Sequence, residues 1–202
     1  MEKHTFEEKN IDLALEKAAY ELGLTKENII VNEIVEKNGL LKKSVTIEVL
    51  SLPEIIKYIK NSLLEILEQM NIKANLETRI RENTIEIKIF SDNNAILIGK
   101  NGKNMKALQI VLKQILKSQI KADIHILLDV ENYKEKRIKS LEILARKTAR
   151  EVAKTKVETK LDSMNSYERR IIHNALNDHK YVYTESEGEE PNRYIVIKPR
   201  EE

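Results

Sequence analysis

The stretch Ile98-Gly99-Lys100-Asn101-Gly102-Lys103 decides the fold prediction, because two glycines enclose a basic and a polar residue directly before a lysine-rich segment. Without side chains on its glycines, such a loop can bring its backbone close to a chain of phosphates. It is not a P-loop, which needs four residues between its glycines and Ser or Thr after its lysine. The alternative is an ordinary helix-to-helix turn in which Gly99 ends the first helix.

The segment around this loop is rich in lysine and lacks acids. Residues 95–122 contain six lysines and no Asp or Glu: Lys100, Lys103, Lys106, Lys113, Lys117 and Lys121. Because solvated helices usually mix both signs of charge, this composition predicts a surface that attracts a polyanion. An ordinary solvated face is the alternative. The first candidate contact residues are therefore Ile98, Gly99, Lys100, Asn101, Gly102, Lys103 and Lys106.

Periodicity and turn residues predict the elements on both sides of the loop. Pro53 suits the first turn of a helix that runs to about Met70. Two alternating segments, 74–80 and 84–90, predict strands. A short helix, the glycine loop, a helix over 103–117 and a strand over 123–130 follow. The predicted order is helix, strand, strand, helix, Gly-x-x-Gly, helix, strand.

Residues 1–52 predict a small separate unit of acidic character, with seven basic and ten acidic residues and a net charge of −3. A helix over 10–22 ends at Gly23, which is a typical C-cap. Two strands follow over 29–35 and 44–50, and the dipeptide Asn38-Gly39 between them indicates a hairpin turn. The net charge is +3 over residues 53–130 and +2 over 131–202.

The remaining residues predict a long helix and a second α+β arrangement. The helix, over 132–156, carries nine basic and three acidic residues. Its basic face can contact nucleic acid or pair with its own glutamates, and both possibilities are open. A strand over 157–161, a helix from a capping box at 165–168 to about Leu176, and a hairpin of strands over 181–186 and 193–198 follow.

Arg169 and His173 are four residues apart and therefore share one helix face. With Arg170 they form a polar cluster that suits phosphate contact, since arginine can offer two parallel hydrogen bonds. The alternative is a histidine that hydrogen-bonds a neighbour within the fold. Three tyrosines of the hairpin are candidates for base stacking or for partly buried packing: Tyr181, Tyr183 and Tyr194.

Composition excludes several function classes. The 202 residues, 41% hydrophobic and 34% charged, are typical of a globular protein of one large or two to three small domains. The absence of cysteine excludes disulfides, thiolate metal sites and cysteine nucleophiles. The four histidines show no metal-ligand spacing, and no acid/base pair of carboxylates is recognisable. We therefore expect a protein that is not an enzyme and binds no cofactor or metal.

The sequence also carries an expectation about location. The first residues lack the apolar region of a signal peptide. No apolar run approaches the roughly 20 residues that span a bilayer. We expect a cytoplasmic protein without membrane insertion.

The motifs together resemble a known family. The segment Tyr167–Leu176, with Arg169 and His173, resembles the Arg-x-x-x-His nucleic-acid-binding domain, and the glycine loop resembles that of KH domains. The whole chain resembles the bacterial Jag family (SpoIIIJ-associated proteins). This resemblance implies three α+β modules: a Jag N-terminal domain over 1–52, a type II KH domain over 53–130 and an Arg-x-x-x-His domain over 131–202. The turn at 37–42 departs from the family, with no aromatic residue and no second glycine.

The resemblance implies a function and partners. The function is binding of single-stranded RNA, with the KH loop clamping about four backbone nucleotides, and post-transcriptional regulation linked to cell elongation, division and envelope synthesis. The partners are RNA and a small protein of a single KH domain, and a homodimer is a further expectation. Two alternatives are open: a scaffold that couples a KH partner to membrane-associated machinery, and binding of single-stranded DNA.

Overall fold

The computed structural model describes residues 1–38 and 43–200. The chain forms two compact units, Met1–Glu131 and Asn132–Glu202, called here the N-terminal and C-terminal units. Both mix helices with strands, which confirms the predicted α+β class. The division into three modules stays a prediction. No helix among the described residues is long and apolar enough to cross a membrane.

The first part of the N-terminal unit is an antiparallel sheet covered by one helix. Its elements are β1 (His4–Glu8), α1 (Ile11–Leu22), β2 (Ile29–Asn38) and β3 (Lys43–Ser51), with the strand order β1–β3–β2. The sequence did not predict β1, because Phe6 is the one apolar residue among its five. Gly23 ends α1 in a left-handed conformation, as predicted. The predicted hairpin turn falls on residues 39–42, outside the described ranges.

The second part of this unit carries the glycine loop. Its elements are α2 (Leu52–Gln69), β4 (Ala74–Arg81), β5 (Thr84–Ser91), α3 (Asn94–Ile98), α4 (Lys103–Lys117) and β6 (His125–Val130). In the sheet order β4–β5–β6, the central β5 pairs antiparallel with β4 and parallel with β6. The predicted order of elements around the loop is confirmed.

Sequence periodicity explains the interior of this second part. The apolar residues of α2 recur every three or four positions, and those of β5 alternate, as helices and half-buried strands require. The residues at these positions are at most 1% exposed: Ile55, Ile59, Leu63, Leu67, Ile85, Ile87 and Ile89. Burial of each such side chain contributes about 1.5–3 kcal/mol, so this interior holds the loop on a rigid support.

One buried amide ties β2 to the segment that follows α4. Asn32 lies at a one-residue register shift in the β2–β3 pairing and is 6% exposed. Its Oδ1 accepts the backbone N–H groups of Lys121 and Ala122 at 2.6 and 3.2 Å. Its Nδ2 donates to Glu48, and this hydrogen bond lowers the pKa of that carboxyl. Residues 1–52 therefore contact the rest of their unit through specific polar bonds.

The C-terminal unit packs two helices with a three-stranded antiparallel sheet. Its elements are α5 (Tyr133–Thr155), β7 (Thr159–Lys160), α6 (Ser166–Leu176), β8 (Val182–Glu187) and β9 (Tyr194–Pro199), with the strand order β7–β9–β8. Its core includes Leu141, Ala145, Ala149 and Val152 from α5 and Ile172 and Leu176 from α6. The predicted strand over 157–161 is shorter than expected, because Val157 is 63% exposed and only two residues pair with β9.

A partly buried ion pair joins the beginnings of α5 and α6. The Asn165 side chain accepts the Glu168 N–H at 3.0 Å, and the Glu168 carboxylate accepts the Asn165 N–H at 3.3 Å, which confirms the predicted capping box. The same carboxylate lies 2.7 Å from Nε of Arg137, and its side chain is only 6% exposed. A buried carboxylate needs such a partner, so Arg137 fixes the position at which α6 begins.

Candidate nucleic-acid interface

The glycine loop connects α3 to α4 through three residues of positive φ. These are Gly99 at 67°, Asn101 at 54° and Gly102 at 75°. Gly99 combines its φ with a ψ of −179°, a region that is essentially restricted to glycine. Asn101 lies in the left-handed helical region, where asparagine is enriched among non-glycine residues. Each of these three positions is therefore occupied by a residue type that suits its backbone angles.

Asn104, in the first turn of α4, braces the loop from within. Its Nδ2 donates to the Ile96 carbonyl at 2.8 Å and satisfies one of the free carbonyls at the end of α3. A Cβ on Gly99 would lie 2.5 Å from Cγ of Asn104. The backbone angles of Gly99 thus favour glycine, and an added side chain would also displace the amide of Asn104. Sequence reasoning missed this role of Asn104, since no periodicity indicates it.

Gly99 also ends α3, because its N–H donates to the Ala95 carbonyl at 2.9 Å. The alternative of a helix-ending glycine is therefore compatible with a ligand-binding loop. Ile98, the last residue of α3, is half-buried directly before the loop.

The lysine side chains at the loop are exposed, and their charges are not neutralised by ion pairs within the described part of the chain. Lys100, Lys103 and Lys106 form no ion pair with any residue of the described ranges. Directly after Gly102, α4 begins without an acidic residue in its first turn. The partial positive charge of the helix N-terminus is therefore unopposed there. Together these groups form a candidate site for an anion.

Further lysines of α4 continue this positive surface. At 100° per residue, four side chains lie within an arc of about 80°, and we call them the lysine stripe: Lys103, Lys106, Lys113 and Lys117. Ile110, which is 52% exposed, lies within the same arc. Lys121 differs, because its Nζ is 2.7 Å from Glu33. The stripe offers several cations to an extended polyanion.

In the C-terminal unit, the arginine of the Arg-x-x-x-His motif is buried. Arg169 is 9% exposed, and its Nη1 donates to the Met164 carbonyl and to Oε1 of Glu190, both at 2.9 Å. It therefore joins the segment before α6 to the turn between β8 and β9. Its predicted phosphate contact stays a prediction, since the fold itself uses this guanidinium.

The other two predicted residues of α6 lie at the surface. His173 is exposed, and its Nδ1 is 2.7 Å from Oγ1 of Thr184 on β8, which fits the alternative of a histidine bonded to a neighbour. Arg170 is exposed and forms no ion pair with a described residue. The structure thus brings Arg170 and His173 to the surface and leaves Arg169 beneath it.

The basic face of α5 is partly paired. Lys139 contacts Glu135 at 2.7 Å, and this hydrogen bond raises the lysine pKa. Arg137 is held by Glu168. Four other cations of this helix are exposed and form no ion pair within residues 1–38 and 43–200: Arg146, Lys147, Arg150 and Lys154. Pairing with a glutamate of the same helix is therefore confirmed for Lys139, and contact of this face with nucleic acid stays a prediction.

The hairpin tyrosines differ in exposure. Tyr181 and Tyr183 are 49% and 37% exposed, so base stacking is open for both. Tyr194 is half-buried, and Nζ of Lys160 lies 5.9 Å from its ring centre. The environment of Tyr194 suits packing.

The acidic residues of the same hairpin are partly neutralised. Lys198 contacts the carboxylates of Glu185 and Glu187, the second at 2.8 Å. The hydrogen bond from Lys198 lowers the pKa of Glu187. Among the residues that the structure describes, no group of three or more His, Asp or Glu side chains could hold a metal ion.

Comparison with family models assigns two domains. The model described as the KH domain of KhpA and KhpB matches residues 53–126. The model of the Arg-x-x-x-His domain matches residues 139–199. The first match includes the glycine loop and the lysine stripe, and the second includes α6 with Arg169 and His173.

Comparison with curated proteins gives relatives along the whole chain. A protein of Clostridium symbiosum is 35% identical and aligns with 100% of this chain and 94% of its own length. One of Bacillus subtilis is 33% identical, with 94% of both chains covered. One of Streptococcus pneumoniae is 31% identical over 71% of this chain and 43% of its own. All three are named RNA-binding protein KhpB. The chain therefore belongs to the KhpB family, the Jag family that its motifs indicate, and carries a KH domain and an Arg-x-x-x-His domain.

Proposed function

We propose that this protein binds single-stranded RNA without catalysing a reaction, through the glycine loop and the lysine stripe. The observation that carries the proposal is the loop itself. A glycine backbone braced by Asn104 presents exposed, unpaired cations at the N-terminus of a helix without acids. The names of the relatives favour RNA over other polyanions.

The loop acts on the RNA backbone rather than on its bases. Gly99 and Gly102 allow close approach of the phosphates, and Lys100 supplies charge. Contacts to phosphate fix position and carry no sequence information. Bases then turn toward apolar surface such as Ile98 beside the loop. The exposed Arg170 and His173 supply a second contact, which increases affinity because both domains belong to one chain.

The test is a titration of the full chain with a labelled pool of random 20-nucleotide RNA at several salt concentrations. The variant Lys100→Asp with Asn101→Asp places two negative charges where a phosphate would bind. We expect an affinity loss of about tenfold and a shallower log–log salt dependence, by about 0.7 for each lost phosphate contact. Single-stranded DNA of the same composition shows whether the 2′-hydroxyl is read.

A matched control is Lys57→Asp. Lys57 is exposed on α2 of the same unit, and its substitution reverses one charge just as Lys100→Asp does. We expect the affinity of this control to stay within about twofold of wild type, because its charge lies outside the loop and the stripe. Equal losses in the control and in the single variant Lys100→Asp would contradict a contact at the loop.

The proposal includes a cellular role for which the family resemblance is the support. This role is post-transcriptional regulation in the cytoplasm, linked to cell elongation, division and envelope synthesis. Crosslinking in cells followed by sequencing of the bound RNA tests it. Enrichment of particular transcripts is expected, and recovery of no RNA above background would favour the scaffold alternative.

The proposal also includes a protein partner, either a small protein of a single KH domain or a second copy of this chain. Exposed apolar side chains on α3 and α4 support it: Ile96 is 48% exposed and Val111 is 46% exposed. Sedimentation of the wild type alone and with a single-KH protein from the same cell measures both associations. The variant Ile96→Lys with Val111→Lys is expected to weaken association and to retain RNA binding.

A further inference from the structure

A pocket between α5 and α6 of the C-terminal unit carries unpaired positive charge. Its volume is about 350 Å³, and it lies apart from the side of α6 on which His173 contacts β8. The residues that line it come from α5, from the end of α6 and from the segment that follows α6: Arg146, Arg150, Asn174, Ala175, Asp178 and His179.

Two arginines dominate the pocket. Arg146 and Arg150 are one helical turn apart and exposed, and neither side chain has a hydrogen bond or an ion pair to any described residue. Like charges four residues apart repel each other on a helix, so an anion between them relieves the repulsion. The planar guanidinium group matches phosphate geometry and forms paired hydrogen bonds with it.

The other lining residues add hydrogen-bond donors and one acid. Nδ1 of His179 accepts the Tyr181 N–H at 3.3 Å, so the proton of the neutral ring is on Nε2, which is a donor. Asn174 adds a side-chain amide. Asp178 opposes an anion, and it accepts a hydrogen bond from the Asn177 amide at 3.2 Å. Two permanent positive charges outweigh this single carboxylate.

The pocket is continuous with the surface proposed to contact RNA. At 100° per residue, Asn174 lies about 40° from Arg170 on one side of α6, and His173 lies about 60° away on the other. Arg170 therefore lies between the pocket and His173. A polynucleotide crossing the exposed face of α6 reaches both.

We propose that the Arg146–Arg150 pocket binds a backbone phosphate of single-stranded RNA and so gives the C-terminal unit a contact separate from its Arg-x-x-x-His motif. The inference rests on the proposed RNA binding of this protein and names a further site for it. It makes the C-terminal unit a surface that follows the RNA over more than one phosphate.

The test compares two full-length variants that remove the same charge from the same helix. Arg146→Gln with Arg150→Gln alters the pocket, and Lys147→Gln with Lys154→Gln alters exposed positions outside it. With the random 20-nucleotide RNA pool, we expect the first variant to lose at least about fivefold in affinity and about 0.7 in salt slope, from the one phosphate contact. The second is expected to change affinity less than about twofold.

Each result decides between the two proposals. Equal losses in both variants would overturn the pocket, because charge alone then accounts for them. No loss in the arginine variant, beside a clear loss in Lys100→Asp with Asn101→Asp, overturns the pocket and leaves the proposed function intact. Absence of RNA binding by the wild type removes both.

A second measurement avoids substitutions altogether. In the wild type, the Nε–H signals of arginine side chains are followed by NMR during titration with the same RNA pool. We expect the signals of Arg146 and Arg150 to shift together with that of Arg170, whereas the signal of the internally bonded Arg169 stays in place. Unchanged signals at both pocket arginines would overturn the inference.

Discussion

The two domains that carry recognisable motifs use their basic residues in opposite ways. At the KH loop, the structure is held by uncharged groups, the Gly99 backbone and the Asn104 amide, and the lysines are left exposed. In the Arg-x-x-x-His domain, the motif arginine Arg169 is itself part of the framework, bonded to Met164 and Glu190. A motif residue can thus have a structural role rather than a ligand-binding role. Its burial and its hydrogen-bond partners show which of these two roles it has.

The largest expected effect separates Arg169 from its neighbour Arg170. Arg169→Ala removes both hydrogen bonds of Nη1 and leaves the Met164 carbonyl without its donor, so we expect a destabilisation of at least about 2 kcal/mol. Arg170→Ala changes an exposed residue and is expected to stay within about 0.5 kcal/mol. Hydrogen exchange of the α6 amides measures the opening free energy of this unit alone.

The same two variants have opposite expectations for RNA. Arg170→Ala is expected to weaken RNA binding while the protein stays folded. If Arg169→Ala keeps its stability and loses only RNA affinity, the arginine is a contact residue and the comparison fails.

The next effect tests whether the loop needs glycine for its geometry. Gly99→Ala places a methyl group 2.5 Å from Cγ of Asn104, at backbone angles that only glycine adopts readily. We expect a cost of about 1–3 kcal/mol and weaker RNA binding, measured by thermal unfolding and by titration.

Gly23→Ala is the matched control for this loop variant. Gly23 also has a positive φ, but no atom lies within 4 Å of its added Cβ. We expect a smaller cost of about 1 kcal/mol and unchanged RNA affinity. Equal loss of RNA affinity in both glycine variants would show that general destabilisation, rather than the loop, controls binding.

The smallest expected effect concerns Lys198, whose charge is already neutralised by ion pairs within the C-terminal unit. Lys198 is held by Glu185 and Glu187, and its hydrogen bond keeps the pKa of Glu187 below the ordinary value of 4.5. A carboxyl pKa that is lower in the folded state stabilises this state at pH values above the ordinary pKa of the group. This contribution is lost as the pH falls through the lowered pKa. Lys198→Gln should therefore raise the Glu187 pKa, as NMR titration of its carboxyl measures, and leave RNA affinity unchanged.

Features that depend on residues close together in the chain, such as helix ends and the order of elements, could be predicted from the sequence. Pro53, Gly23 and the capping box at 165–168 gave the helix ends, and periodicity gave the elements around the loop. It missed β1, where one apolar residue in five gives no alternating pattern.

Contacts between distant residues were beyond sequence reasoning. Asn32 bonds residues 121 and 122, and Arg137 pairs with Glu168 31 positions away. Helical spacing groups Arg169 with Arg170 and His173 on one polar face. Spacing does not show that Arg169 is buried and bonded to Glu190, 21 residues later in the chain.

The most direct test of the account is to locate the RNA on the protein by ultraviolet crosslinking of the full chain to the random RNA pool, followed by mass spectrometry of the adducts. We expect adducts at residues 98–106 around the glycine loop, with further adducts near Arg146–Arg150 and Arg170–His173. Adducts confined to residues 1–52, with none at the loop, would contradict the claim that the exposed cations of the KH domain hold the RNA backbone.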